Sequence, residues 1–302
     1  MKTVPHVIPY QGSKRKLAET ILSYMEFPIE TLYEPFVGSG AITLATAVED
    51  RAKSFVMGDK LDSLAELWKI IVENPDKLAE DYSHLWSSQL EDPAKYFLKV
   101  RSEFNETKDP AKLLYLIARC VKNSIRFNNK GDFNQGADHR RLGMKPEKVH
   151  REAKLISNLL KNRVKICSGD FRHVIASATK NDLIYMDPPY QGTSGKKDPR
   201  YAFLLDLGEL ITELDHLNSR EIPYILSFDG TCGDKSYGAD LPSFLELEKV
   251  SVNAGRSSQA ILLGRDDVTI ESLYLAPALL AKKSPTKKKQ GIKKEMQLTL
   301  LD

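Results

Sequence analysis

The chain has 302 residues, 41% hydrophobic and 28% charged, ordinary for a globular protein with one large α/β domain or two smaller ones. No run approaches the roughly 18 to 20 apolar residues of a membrane span, and Met1-Lys2-Thr3-Val4-Pro5-His6 carries no apolar signal segment, so a soluble, cytoplasmic protein is expected. Cys120, Cys167 and Cys232 are odd in number, far apart and outside any C-x-x-C pattern, which excludes a disulfide framework or zinc site as the expectation; no metal and no membrane partner are expected.

The formal net charge of +3 is unevenly spread. Residues 282–302 hold seven Lys against Glu295 and Asp302, and their Lys, Ser, Pro, Thr and Gln content predicts a disordered Lys-rich tail. Residues 119–165 hold thirteen Lys or Arg against four acids. A basic block in a near-neutral body is the footprint of a polyanion partner. A solvated helical face is the plain alternative, but Phe127, Phe133 and several Asn interleave with the charges.

In chain order, Tyr10-Gln11-Gly12-Ser13-Lys14 predicts a turn, with Ser13 as N-cap of an amphipathic run through Leu17, Ile21 and Leu22. Residues 32–36 read as a strand feeding the glycine turn Val37-Gly38-Ser39-Gly40, after which Ile42, Leu44 and Ala45 resume a helical period. Residues 54–58 predict a second strand ending at Asp59, followed by a helix with Leu64, Leu67, Trp68 and Ile71. From 74 to 160 the β-α alternation stops. Helical patterns over 93–105 and 111–127 surround a loop from Asn128 to Gly143, so this region reads as an inserted helical subdomain.

The alternation resumes at 163–167, a strand ending in Gly169-Asp170-Phe171, with a helix over 174–179. Leu183–Met186 is a short apolar run that stops at Asp187-Pro188-Pro189-Tyr190. A helix over 204–218 and a strand over 224–227 follow. Apolar runs at 260–263 and 270–275 are expected to close the sheet as an antiparallel edge pair.

Two consecutive prolines cannot donate to a sheet ladder and fix two φ angles. They therefore hold the Asp187 carboxylate and a backbone carbonyl still at the carboxyl edge of a sheet, where open α/β folds bind ligands. Such a pair of acceptors suits an exocyclic amine with two N–H donors, and Tyr190 supplies a ring to stack on. An ordinary Asp-Pro-Pro turn is the competing reading. The turn Gly38-Ser39-Gly40, with Asp59 at the distance of a ribose-hydroxyl ligand, lacks the third glycine of a dinucleotide fingerprint; that favours a nucleoside without a pyrophosphate. Asp170 reads equally as an adenine ligand or as a helix N-cap.

Taken together, Tyr10…Gly12-Ser13-Lys14, Glu34-Pro35-Phe36-Val37-Gly38-Ser39-Gly40, Gly58-Asp59, Gly169-Asp170-Phe171 and Asp187-Pro188-Pro189-Tyr190 resemble the Dam-type (D12 class) DNA adenine-N6 methyltransferases, in the same order. Residues 126–134, 225–230 and 252–256 extend the resemblance over 5–276. Tyr10 stands where relatives often carry Trp, and Ser13 where Gly is common.

The resemblance implies a doubly wound, mostly parallel Rossmann-like methyltransferase sheet with an antiparallel edge strand and an inserted helical DNA-recognition subdomain. Residues 1–73 and 161–281 would form the catalytic domain and 74–160 the recognition subdomain. It implies S-adenosyl-L-methionine as cofactor, held by Tyr10, Lys14, Glu34, Pro35, Phe36, Gly38, Ser39, Gly40, Asp59, Asp170, Phe171 and Asp187. Lys14 would reach the cofactor's carboxylate. Asp187, Pro188, Pro189 and Tyr190 would be catalytic, acting on an adenine flipped from double-stranded DNA.

For DNA contacts the expectation is Arg119, Lys122, Arg126, Asn128, Lys130, Asn134, Arg140 and Arg141. A cognate restriction endonuclease on the same site and a place beside the nucleoid also belong to it. Methylation of cytosine N4, RNA adenine or a glutamine amide remains open on residue pattern, although relatives acting on glutamine amides usually carry Asn, and N4-cytosine enzymes Ser or Thr, in place of Asp187. A non-catalytic DNA-binding subunit is the other class of reading.

Overall fold

A computed structural model describes residues 2–128, 130–189, 205–232, 235–237, 241–256 and 268–283, with backbone alone at 229–232, 235–237, 256, 268 and 283. Five parallel strands form most of one sheet: β1 (Ile29–Glu34), β2 (Ala52–Asp59), β3 (Val164–Ser168), β4 (Leu183–Met186) and β5 (Tyr224–Cys232). The short β6 (Lys235–Tyr237) pairs with the far end of β5, and β7 (Glu248–Arg256) and β8 (Val268–Leu275) run antiparallel. The order across the sheet is β3-β2-β1-β4-β5-β8-β7. The chain therefore leaves β1 in one direction, to β2 and β3, and returns on its other side at β4. That reversal creates a switch point beyond the carboxyl ends of β1 and β4.

All four residues of β4 are buried, which is why the strand is a continuous apolar run rather than an alternating one. Helices flank the sheet: α1 (Ala18–Leu22), α2 (Ala41–Val48), α3 (Asp62–Glu73), α4 (Pro75–Ser88), α5 (Pro93–Thr107), α6 (Pro110–Arg119), α7 (Pro146–Leu160), α8 (Phe171–Ile175), α9 (Leu207–Ser219) and α10 (Pro277–Lys283). Proline opens α4, α5, α6 and α7, where its missing N–H costs nothing. Asp92 and Asp109 cap α5 and α6, accepting the backbone N–H groups of Lys95 and Lys112 at 3.1 and 2.9 Å. The helices between β2 and β3 pack on α3 through α4, α6 and α7. No helix among the described residues is long and apolar enough to cross a membrane.

Several expectations need correction. The helix expected over 111–127 stops at Arg119, because Cys120 is extended and Lys122 and Asn123 take positive φ. The chain then forms a ribbon, with bridges Cys120–Ala137 and Phe127–Phe133. Ser13 caps nothing; it precedes a single 3-10 turn, and its hydroxyl hydrogen-bonds that of Ser39 at 2.7 Å. The helix expected over 174–179 lies one turn earlier, at Phe171–Ile175. The strand at 270–275 pairs with β5 and β7, and the run at 260–263 lies outside the described residues. Most of the Lys-rich tail, from 284 onward, lies outside them too.

Candidate active site

The carboxyl edge around the switch point is assembled by backbone geometry first. Gly38 and Gly40 carry φ of +45° and +62°, values that favour glycine. A side chain at Gly40 would meet the Trp68 ring at 2.7 Å, and that indole donates its N–H to the Gly38 carbonyl at 3.0 Å. The Tyr10 ring lies against Gly38. Val37 N–H donates to the Gly58 carbonyl at 2.8 Å, and the Asp59 carboxylate accepts the N–H groups of Gly38 at 3.3 Å and Leu61 at 3.0 Å. The ends of β1 and β2 are thereby tied into one unit. Burial raises the Asp59 pKa to about 6, against those backbone donors.

Glu34, buried at the end of β1, accepts the N–H of Thr43 in the first turn of α2 at 2.9 Å. Burial pushes it up to about 7, opposed by the Thr43 hydrogen bonds and reinforced by Asp187. Pro35 is buried beside it, and the half-buried Phe36 ring stacks on Phe171 with centroids 5.3 Å apart. Asp170 is the N-cap of α8; its carboxylate accepts the Arg172 N–H and pairs with the Arg172 guanidinium at 2.8 and 3.1 Å. The capping role is therefore observed; a cap does not exclude the adenine contact, which stays a proposal. Arg172 holds its pKa below the usual aspartate value.

Asp187 follows β4 directly, half-buried, with Pro188 buried and Pro189 half-buried behind it. Its Oδ1 lies 3.1 Å from the Lys14 ammonium. That ammonium is also 3.0 Å from Glu271 Oε2 on β8. Burial raises the Asp187 pKa to about 6; Lys14 opposes the shift and Glu271 adds to it. Lys14, expected to meet a cofactor carboxylate, is thus held between two of the protein's own carboxylates. Tyr190 lies outside the described residues.

The basic insert divides into two groups. Arg119 is 1% exposed, and its guanidinium donates to the carbonyls of Asp138 (2.9 Å), Pro93 (3.4 Å) and Arg141. It staples the insert from within and does not present its charge to a duplex. Arg140 and Arg141 both pair with the buried Asp138, which the Arg140 hydrogen bonds lower to about 2. Lys122, Asn128, Lys130 and Asn134 are exposed and Arg126 is half-buried. Asn128 shapes its own loop, its Oδ1 accepting the N–H groups of Lys130 and Asp132 at 2.9 and 3.0 Å.

Reading the residues in sequence missed Glu271 and Trp68. The signal for Glu271 was one acid inside an apolar strand. Trp68 looked like any core aromatic at helical spacing.

A family model for D12 class N6 adenine-specific DNA methyltransferases matches residues 10–230. The chain belongs to that family. The matched segment holds the glycine turn, Asp59, the insert and Asp187; Glu271 lies beyond it. The chain is similar to the type II methyltransferase M.MjaIII of Methanocaldococcus jannaschii, 32% identical over 54% of this chain and 59% of the relative. It is also similar to the type II methyltransferase M1.LlaDCHI of Lactococcus lactis subsp. cremoris, 29% identical over 60% of this chain and 64% of the relative. A DNA adenine methylase of Serratia marcescens is 26% identical over 63% and 68%. The matches thus span somewhat under two thirds of the first two relatives' lengths.

Proposed function

We propose that this protein transfers a methyl group from S-adenosylmethionine to N6 of an adenine flipped out of double-stranded DNA, at a specific site. The observation that carries the reading is the half-buried Asp187 carboxylate at the β1–β4 switch point, beside a glycine turn braced by Asp59. The residues fit the cofactor chemically. Asp187 and Glu271 meet the Lys14 ammonium, with Asp59 and the buried Glu34 at the same edge. Among the described residues carboxylates thus outnumber the one cation there, and such a surplus favours a sulfonium cation. The Phe36 ring and Asp59 would hold the nucleoside, with Tyr10 against the turn. When bound, the cofactor supplies an electrophilic methyl group.

The protein's part is positioning. An aromatic amine is a poor nucleophile because its lone pair is delocalised into the ring. Hydrogen bonds from its two N–H groups to the Asp187 carboxylate and the Pro188 carbonyl would bend the nitrogen toward tetrahedral geometry and free that pair. Above about pH 6 Asp187 is ionised and accepts. The carboxylate also stabilises charge that develops on the nitrogen. Pro188 and Pro189 keep the acceptors from turning away, and Tyr190 is assigned to stack on the extruded base.

Residues 74–160 serve as the target-recognition subdomain in this reading, with 1–73 and 161–281 as the catalytic domain. Lys122, Arg126, Asn128, Lys130 and Asn134 would face the duplex, and Arg140 and Arg141 contribute while anchored on Asp138. A cognate restriction endonuclease, action in the cytoplasm beside the nucleoid and independence from metals belong to the same proposal. Modified-base sequencing of DNA from cells expressing the protein tests it. N6-methyladenine at one recurrent sequence is expected; N4-methylcytosine or unmodified DNA would overturn the reading.

A further inference from the structure

Glu271 is an acid in the wrong place for stability. It lies in β8, between β5 and β7, in the apolar run that continues through Leu273 and Leu275, and its side chain is 18% exposed. A carboxylate in such a setting is costly unless a cation meets it. The cation is Lys14, which comes from the opposite end of the chain and touches Asp187 at the same time. The β5–β8 register also shifts between Ser227–Leu273 and Gly230–Glu271, putting one extra residue into β5 immediately before Glu271's partner. Bulges of this kind re-aim side chains and recur beside active sites.

An ammonium paired with Asp187 alone would compete with the target amine for that carboxylate. Shared with Glu271, it neutralises neither acid fully. We propose that Glu271 is a positioning residue for methyl transfer: it draws the Lys14 ammonium partly away from Asp187 and leaves that carboxylate a strong enough acceptor for the target amine. The inference rests on the functional reading above, in which Asp187 receives the amine. Four charged or titratable groups face Asp187 among the described residues. They are Lys14 from the N-terminal turn, Glu34 from β1, Tyr185 from β4 and Glu271 from β8. Lys14 alone carries positive charge, so Glu271 governs how much of it Asp187 receives.

The test is the pH profile of single-turnover methyl transfer from labelled S-adenosylmethionine to unmethylated genomic DNA at saturating cofactor. In Glu271→Gln the repulsion disappears and Lys14 falls to Asp187. The acid limb should move about one pH unit lower, and the plateau rate should fall about threefold to tenfold as the acceptor weakens. Cofactor affinity should change less than the rate. Glu271→Asp, one bond shorter, should shift the limb in the same direction by less, and it carries the test if the Gln variant does not fold. An acid limb that stays in place in these variants overturns the inference, whatever happens to the plateau, because a merely structural Glu271 would lower activity without moving it. A wild-type protein that methylates no adenine removes the functional reading and this inference with it. An active wild type with an unshifted variant overturns the inference alone.

Discussion

Glu34 and Thr43 join the last residue of β1 to the first turn of α2: the Glu34 carboxylate accepts the Thr43 N–H at 2.9 Å. The glycine turn lies between those residues, so this bond closes the loop that the proposal assigns to the cofactor. An anion also suits a helix start. Yet burial lifts Glu34 from the ordinary 4.5 to about 7. Below pH 4.5 both the folded and unfolded forms carry the proton. Between 4.5 and 7 only the folded form keeps it, so stability falls as pH rises through that window and levels off above it. Glu34→Gln keeps an acceptor for Thr43 and removes the titration. Urea unfolding should show the variant gaining on wild type by roughly 3 kcal/mol between pH 4.5 and pH 8. A constant difference across that range would contradict the assignment.

Gly58 lies one residue before Asp59, and a Cβ there would sit 2.5 Å from Val174 on α8. Gly58→Ala should cost about 1 to 3 kcal/mol through overpacking. Combining it with Val174→Ala should recover on the order of 1 kcal/mol relative to the sum of the single changes. Denaturant midpoints of the three variants check this; strict additivity would show that α8 does not rest on that glycine.

In the proposed function Arg119 carries structural charge and Lys130 faces DNA. Arg119→Met strips donors from three backbone carbonyls and should cost about 3 kcal/mol of stability. Lys130→Ala should leave stability within about 0.5 kcal/mol. It should lower the slope of log affinity against log salt by about 1, as expected for one lost phosphate contact. Loss of slope in a fully stable Arg119→Met protein would reverse the two roles.

The parts of this fold that local chemistry controls were legible in the chain. Leu183–Met186 emerges as β4 with the expected bounds, because a fully buried strand must be apolar throughout and the prolines end it. Asp59 stands at the end of β2, as the apolar run that precedes it predicts. Left-handed residues were not legible: Lys122 and Asn123 turn the chain out of α6 although their neighbours continue a helical period. Burial of single charges was not legible either. Arg119 belongs to a basic block by sequence, and only α6 packing turns it inward. The Lys14–Glu271 pair joins the two ends of the chain, so no local pattern announces it.

The most direct measurement is single-turnover methyl transfer to adenine in DNA by Asp187→Ala beside the wild type, with S-adenosylmethionine binding measured on both. The variant should lose at least about 100-fold in rate, while its affinity for the cofactor, to which Asp187 adds one of several carboxylates, should fall far less. A variant that methylates adenine at the wild-type rate would contradict the central role given to Asp187.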